Sequence, residues 1–234
     1  AGPNARKLLQ KVIDPAYDIS NDAFPYMACG EITVCDDLRA RLFRISFSGE
    51  LAFEIAVPTR YGDALIRRLM EAGKEFDITP YGTEAMGVLR IEKGHAAGNE
   101  LNGQSTAAML GMGRMVSQKK DSIGRVLAGR PYLQREDDYR LVGLKSVNSK
   151  EIILAGAHLM TAGDTVNAAN DQGWVTSAAY SPHIGSSIAL AFLKKGEARH
   201  GEVIRIVSPL DNLDIEGEVT GPHFIDPEGE RLRV

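Results

Sequence analysis

The sequence predicts an α+β fold, a ferredoxin-like split βαβ sheet with helices, followed by a small C-terminal all-β barrel or jelly-roll domain. In the first half, strand-like alternation is mixed with two amphipathic helical patterns. Helical periodicity largely disappears after the polar segment PYLQREDDY at 131–139. This change in composition predicts two domains, an α+β domain over 1–130 and a β domain over 137–234.

The opening segment AGPNARKLLQKV, residues 1–12, predicts a helix. Pro3 suits the first turn of a helix, and Leu8, Leu9 and Val12 form an apolar stripe. Neither an initiating Met nor a strand precedes this helix. We therefore expect the chain to be part of a longer protein.

Two strands are predicted next, over 30–34 and 38–47, with the chain bent at Asp36-Asp37. Apolar and polar residues then alternate over 42–47 and again over 51–57. These ranges cover most of the segment RISFSGELAFEIAVP at 44–58 and the two residues before it, and the pattern predicts a tight hairpin. Its loop is Ser48-Gly49-Glu50, in which Gly49 is free to take a positive φ. Glutamate at a turn is usually solvated, so the hairpin alone favours a surface role for Glu50.

Two helices follow the hairpin. Apolar residues at i,i+4 spacing predict an amphipathic helix over 61–73 that ends at Gly73. A second helix is predicted over 83–93, capped by Thr83 and ended by Gly94. Charge placement leaves two interpretations open for Arg90 and Glu92 near its C-terminal end, surface charges or functional groups.

The second half contains short β-like runs separated by Gly, Pro, Asn and Asp at even spacing, as is typical of a small barrel. The runs cover 141–145, 156–160, 173–180, 188–193, 203–207 and 215–219.

Charge and composition exclude several partners. The formal net charge is −4, and Lys and Arg are scattered, so we expect no nucleic acid partner. Apolar stretches are far shorter than the roughly 20 residues of a membrane span, so we expect no membrane partner. Cysteine is limited to Cys29 and Cys35, and no secretory signal is visible, which predicts a cytoplasmic location.

Several kinds of catalytic site are also disfavoured. No nucleophile elbow is present, and the glycines lack the GxGxxG spacing, so neither a hydrolase nor a flavin or nicotinamide fold is predicted. The histidines are dispersed without metal-ligand spacing, so no metal site is predicted. They are His95, His158, His183, His200 and His223.

Four segments, in order along the chain, resemble motifs of the aminomethyltransferase family, the T-protein of the glycine cleavage system and its folate-binding relatives. RISFSGELAFEI at 44–55 is similar to R-x-G-Y-T-G-E-x-G-[FY]-E-[IL]. LRIEKG at 89–94 resembles L-R-L-E-A-G, and KKDSIGR at 119–125 resembles K-x-D-F-I-G-R. WVTSAAYSPHIGSSIALAFL at 174–193 resembles V-T-S-G-x-x-S-P-x-L and its apolar strand. The variants FRISFSGELAFE, YGTEAMGVLRIEKGH and GRMVSQKKDSIGRVLAGRP are more similar to the C-terminal part of the alpha subunit of heterotetrameric sarcosine oxidase.

The resemblance implies a tetrahydrofolate site. The matching glutamate, Glu50, would accept the ring N–H and the exocyclic amino group of a reduced pterin. Phe47 stands where the family has tyrosine and would keep ring stacking without the hydroxyl hydrogen bond. Arg90 would orient Glu50 or the folate. The family's catalytic aspartate precedes the segment matching AGPNARKLL, so no catalytic residue is assigned in this chain and we expect it to be inactive alone.

The implied domains are an aminomethyltransferase-like folate-binding domain over 1–130, without its N-terminal part, and an aminomethyltransferase β-barrel over 137–234. The implied function is one-carbon transfer in a sarcosine oxidase alpha subunit. Sarcosine is demethylated oxidatively to glycine, and the one-carbon unit passes to tetrahydrofolate as 5,10-methylenetetrahydrofolate. FAD, FMN and NAD are expected elsewhere in the complex, and the expected partners are flavin-containing and small subunits.

Three alternatives remain open. The same motifs fit a stand-alone aminomethyltransferase that acts on a lipoyl-bound aminomethyl group. They also fit a non-catalytic, folate-dependent assembly or regulatory protein on the same fold. A third interpretation is a structural module in which Glu50 and Arg90 survive only as surface charges.

Overall fold

The computed structural model describes residues 1–135 and 137–234 and separates into two units. Unit 1 contains residues 1–89 and 226–234, and unit 2 contains residues 90–225. The predicted combination of helices, a sheet and a C-terminal barrel is confirmed. The predicted domain boundary between 130 and 137 stays a prediction, and Glu136 in that segment lies outside the described residues.

The helices and strands are named in chain order. The α-helices are α1 (Ala5–Leu9), α2 (Gly62–Gly73), α3 (Thr83–Lys93) and α4 (Arg125–Ala128). The strands are β1 (Cys29–Val34), β2 (Leu38–Phe43), β3 (Glu54–Ala56), β4 (Tyr139–Ser146), β5 (His158–Met160), β6 (Gly173–Ser181), β7 (Ser186–Lys194), β8 (Val203–Ser208) and β9 (Leu213–Thr220).

The sheet of unit 1 has the order β1-β2-β3. β1 pairs with β2, with Cys29 opposite Phe43, and β2 pairs with β3, with Leu42 opposite Ile55. Both pairings are antiparallel. Strands that follow one another in the sequence are therefore neighbours in this sheet. The strands of unit 1 within the described residues 1–135 and 137–234 do not form the expected split βαβ arrangement. The predicted bend at Asp36-Asp37 is confirmed, because both residues have a positive φ.

The predicted tight hairpin is wrong in length. The last β2–β3 pair is Phe43 with Glu54, so the connection runs over 44–53 instead of three residues. Arg44 and Ser46, two polar residues of the alternating pattern, are both buried. Arg44 also donates its backbone N–H to the carbonyl of Ala28, at 2.8 Å, beyond the end of the β1–β2 ladder. The segment 44–53 is therefore a loop with buried polar side chains, not two paired strands.

Unit 1 packs its apolar residues around the sheet and α2. The amphipathic pattern of α2 is confirmed by buried Leu65, with Leu69 packed beside it. Gly73 is its last residue, but one 3₁₀ turn follows before Asp77 takes a left-handed conformation with φ 54°. The core residues of this unit are Leu9, Val12, Ile13, Ile19, Ile32, Val34, Ala40, Leu42 and Leu65.

Unit 2 contains a closed barrel of six antiparallel strands in the order β4-β7-β6-β5-β8-β9. β4 pairs with both β7 and β9, which closes the barrel. Each of the six predicted β-like runs overlaps one of these strands. The barrel core consists of Val142, Leu144, Ile153, Ala157, Leu159, Val175, Ala189, Ala191, Leu193, Ile204, Ile206, Ile215 and Val219.

Gly173, at the start of β6, should tolerate no side chain. Its φ is +151°, and a Cβ would lie 1.9 Å from the carbonyl oxygen of Phe192 on β7. We predict that Gly173→Ala lowers the free energy of unfolding by about 2–4 kcal/mol, because the β6–β7 backbone must separate. Urea unfolding measures the change. Gly87→Ala is the control, since nothing lies within 4 Å of a Cβ there and it should not destabilise the helix. Equal stability of Gly173→Ala and the native chain would contradict the packing of β6 on β7.

Two ion pairs predict acid sensitivity of the barrel. Arg199 donates to both oxygens of Glu202 at 2.7 and 2.6 Å and lowers the pKa of that carboxyl below its ordinary value of 4.5. Arg205 likewise lowers the pKa of Asp214 below 3.8. Since the unfolded carboxyls bind protons more readily, these pairs stabilise the fold above the ordinary pKa values, and the stabilisation is lost as pH falls.

We expect the Glu202→Gln/Asp214→Asn double variant to lose stability less steeply than the native chain as the pH falls below about 4.5. Urea unfolding at a series of pH values measures this slope. The Glu151→Gln variant is the control, because no pair with Arg is found for this residue in the described part of the chain. The same slope in the double variant and the native chain would contradict the assignment.

Candidate functional site

Glu50 lies in the loop 44–53 of unit 1, immediately after Gly49, which has the predicted positive φ, +87°. The Gly49 N–H donates to Ser46 Oγ at 3.1 Å, and the Gly2 N–H donates to the Leu51 carbonyl at 2.8 Å. These bonds fix the backbone on both sides of Glu50. Its side chain is 33% exposed. The loop therefore holds the main chain in place while it leaves the carboxylate accessible.

The carboxylate of Glu50 has a partner in the C-terminal part of unit 1. Arg231 Nη1 donates to Glu50 Oε1 at 2.8 Å, across 181 residues of sequence. This hydrogen bond, with the attraction of the negative charge, raises the pKa of Arg231. The pair fixes one carboxylate oxygen by a charge-assisted bond.

Phe47, the second predicted site residue, lies in the same loop and the same unit as Glu50. Its side chain is half-buried. Beside it, Ser48 Oγ is buried, and no hydrogen-bond partner is found for it within 1–135 and 137–234. The loop thus presents a partly exposed carboxylate and a half-buried aromatic ring.

Arg90, the third predicted residue, belongs to unit 2 and lies in the last turn of α3. Arg90 Nη1 donates to Glu100 Oε2 at 2.8 Å, and Nη2 donates to Ser177 Oγ on β6. Ser177 in turn donates to Glu100 Oε1 at 2.6 Å. The Arg90 side chain is only 14% exposed, so it is not a simple surface charge. Its predicted role toward Glu50 or a ligand stays a prediction.

The sequence alone did not single out Glu100, Ser177 or Arg231, and it left the role of Glu92 open. Glu100 is fully buried, and Glu92, which accepts a hydrogen bond from Ser181 Oγ, is nearly so. Glu100 and Ser177 lie in or beside segments that resembled family motifs, but nothing in the residue types indicated that they are buried partners. Arg231 had no sequence signal, because its partner is distant in the chain.

The environment of Arg90 also affects His95. Burial, and then the positive charge of Arg90, lower the pKa of His95 below its ordinary value of 6.5. The imidazole is therefore neutral at pH 7. In the described ranges, no group of three or more His, Cys, Asp or Glu side chains is placed to hold a metal ion. None of the described helices is both long and apolar enough to span a membrane.

Two family models match the chain and together cover most of it. The GCVT N-terminal domain matches residues 1–120. The glycine cleavage T-protein C-terminal barrel domain matches residues 140–226, which contain the strands of the closed barrel.

Individual relatives agree with these matches. The chain is 46% identical to sarcosine oxidase subunit alpha of Rhizobium meliloti, over 100% of this chain and 24% of that protein. It is 29% identical to an aminomethyltransferase of Halothermothrix orenii, over 96% of this chain and 59% of the relative. The chain therefore spans about a quarter of the length of the sarcosine oxidase subunits that it matches.

A solved structure shares the fold. The glycine cleavage system aminomethyltransferase T of Bartonella henselae superposes with a TM-score of 0.65 at 22% sequence identity, over 80% of this chain and 50% of that chain. At this identity the likeness concerns the fold alone. The two family models cover both units, and on that basis the chain belongs to the glycine cleavage T-protein family.

Proposed function

We propose that this chain is the tetrahydrofolate-binding, one-carbon-transfer part of a sarcosine oxidase alpha subunit. The observation that carries the proposal is the carboxylate of Glu50, which is held on one oxygen by Arg231 and remains one third exposed. It lies in the segment that resembles the folate-binding motif of the family. The 46% identity to a sarcosine oxidase alpha subunit supports this branch of the family.

Glu50, Glu92 and Glu100, three of the carboxylates in or beside the family motifs, differ in what they can bind. Glu100 accepts from Arg90, from the Ala97 N–H and from Ser177, and none of its side chain is exposed. Glu92 is buried against Ser181. Neither presents surface to a ligand. Glu50 is partly exposed, so its carboxylate is the one of these three that a ligand from solvent can reach.

The residues of the 44–53 loop fit a reduced pterin. Its ring N–H and exocyclic amino group form a donor pair, and a carboxylate accepts such a pair through two charge-assisted hydrogen bonds. The half-buried ring of Phe47 can stack on a flat heterocycle. Ser48 Oγ lies buried in the same loop, and no hydrogen-bond partner is found for it in the described residues. Glu50 and Phe47 are therefore the two groups of the loop that we propose to contact the pterin.

Bound tetrahydrofolate would supply the nitrogen nucleophile that takes up the one-carbon unit. The residues of this chain contribute binding and orientation. Glu50 fixes the pterin, and Phe47 restricts its tilt. Arg90 is held by Glu100 and Ser177 in unit 2, and its role toward the folate stays a prediction. Holding the reactants together converts an encounter in solution into a local step. A catalytic residue is assigned nowhere in this chain.

In the complete protein, the proposed reaction is the oxidative demethylation of sarcosine to glycine, with 5,10-methylenetetrahydrofolate as the second product. The flavins and NAD would belong to other parts of the complex, and flavin-containing and small subunits would be the partners. This assignment rests on the resemblance to the alpha subunits, of which the chain covers 24%.

A second candidate is a stand-alone aminomethyltransferase that acts on a lipoyl-bound aminomethyl group. The 29% identity to aminomethyltransferase of Halothermothrix orenii, over 59% of that protein, favours it. A neighbouring gene for a flavin subunit supports the oxidase, whereas a neighbouring gene for a lipoyl carrier supports the aminomethyltransferase.

Replacement of Glu50 tests the folate site directly. We predict that Glu50→Gln weakens the binding of 5-formyltetrahydrofolate by about 1–3 kcal/mol, because an amide presents one acceptor oxygen and no charge to the donor pair. Isothermal titration calorimetry measures the affinity of the native chain and of the variant. Glu54→Gln is the matched control, because Glu54 is an exposed glutamate on β3 outside the loop.

The control should bind as the native chain does. If Glu50→Gln binds as tightly as the native chain, Glu50 does not contact the pterin. If the native chain does not bind 5-formyltetrahydrofolate, the proposed function of this chain is wrong.

A further inference from the structure

We propose that Arg231 is a positioning residue for the ligand-binding carboxylate of Glu50, and that the segment 226–234, here termed the tail, holds it in place. The inference rests on the proposed function, because it concerns the same folate site. Both residues and the whole tail belong to unit 1. No family motif singled out Arg231, and the observations that carry its role are the contacts of the tail.

The end of the tail is anchored by three side chains of unit 1. Asn21 Nδ2 donates to the carbonyl oxygen of Arg233 at 2.8 Å. Arg44 Nη2 and Arg6 Nη2 both donate to the main-chain oxygen of Val234, at 2.8 and 3.0 Å. Because Arg44 is fully buried, its bond ties the tail to the interior of the same loop that carries Glu50. These bonds connect the tail to the loop that carries Glu50.

The backbone at Arg231 is fixed from the other side by a turn. Asp226 and Gly229 take left-handed conformations, with φ of 49° and 68°. The carboxylate of Asp226 accepts the N–H of Glu230 at 2.9 Å and the N–H of Arg231 at 3.1 Å. Arg231 is thus held by a bond at its own N–H, and three residues later the chain is held by Arg44 and Arg6. Its side chain reaches Glu50 from a fixed base.

This arrangement orients the Glu50 carboxylate and leaves part of its hydrogen-bonding capacity unused. The bond is made to Oε1, and a carboxylate has about four lone-pair positions on its two oxygens. A ligand with two adjacent donors can therefore bind while Arg231 stays in place. A side chain already held in one rotamer loses less conformational entropy when the ligand binds. Arg231 should therefore increase the affinity for folate rather than compete with it.

Arg231→Gln removes the charge, and Arg231→Lys keeps the charge but loses the planar fork. We expect Arg231→Gln to bind 5-formyltetrahydrofolate about three- to fivefold more weakly than the native chain, the range of a partly exposed ion pair, with Arg231→Lys in between. Arg67→Gln is the matched control, because Arg67 forms an exposed ion pair with Asp63 on α2, outside the tail and the loop 44–53. It should leave the affinity unchanged.

A double-mutant cycle separates positioning from a general effect on folding. In the Glu50→Gln background, Arg231→Gln should cause no further loss of affinity, because the group that it positions is already removed. Thermal unfolding of each variant checks that it is folded, and Arg231→Lys supplies the same cycle if Arg231→Gln does not fold. A full additional loss in that background overturns the inference.

The remaining outcomes distinguish the inference from the proposed function. If the native chain binds, Glu50→Gln weakens binding and Arg231→Gln binds as well as or better than the native chain, the positioning role is wrong and the folate site stands. Tighter binding by Arg231→Gln would identify Arg231 as a competitor for the carboxylate. If the native chain does not bind the ligand, both the proposed function and the inference are overturned.

Discussion

Burial of the Glu100 carboxylate imposes the strongest chemical constraint on unit 2. An ionised carboxylate loses several kcal/mol of hydration when it is removed from water, and it must recover this energy from donors. Glu100 receives three, from Arg90, the Ala97 N–H and Ser177. These bonds join the end of α3 and the segment after it to strand β6. The position of Arg90, and with it any role of Arg90 toward a ligand, depends on this buried charge.

Unit 1 contains a buried cation, the guanidinium of Arg44. Arg44 has no exposed surface, and burial, with the nearby charge of Arg6, lowers the pKa of its guanidinium. Its acceptors are the carbonyl of Ala52 at 3.4 Å and the main-chain oxygen of Val234, and its guanidinium lies 5.1 Å from the ring centre of Phe53. Two main-chain oxygens and a ring face thus replace water around part of the charge, and no hydrogen-bond partner is found for the buried Nε in the described residues. The contacts with Ala52 and Phe53 lie within the 44–53 loop, where a tight hairpin was predicted.

Features that depend on local sequence were predictable, and those that depend on distant contacts were not. The C-terminal limit of α3 follows from Gly94, whose φ is +72°, whereas Thr83, which was predicted as the cap, is the first residue of the helix. The barrel strands follow from apolar runs between turn residues. The hairpin was predicted wrongly because alternation alone cannot show that Arg44 is buried. Glu50 was found through its motif, whereas Arg231 lies 181 residues away and has no local signal.

The contrast between Glu50 and Glu100 shows why a motif alone does not define a site. Both are glutamates that accept from arginine, and both bonds measure 2.8 Å. The difference lies in how many donors the protein supplies and how much surface remains. A carboxylate that is saturated by the protein is a structural element, because a ligand offers it nothing that it lacks. A carboxylate with one protein donor and a third of its surface exposed is already oriented and can still accept hydrogen bonds, which is the condition that recognition of a paired donor requires.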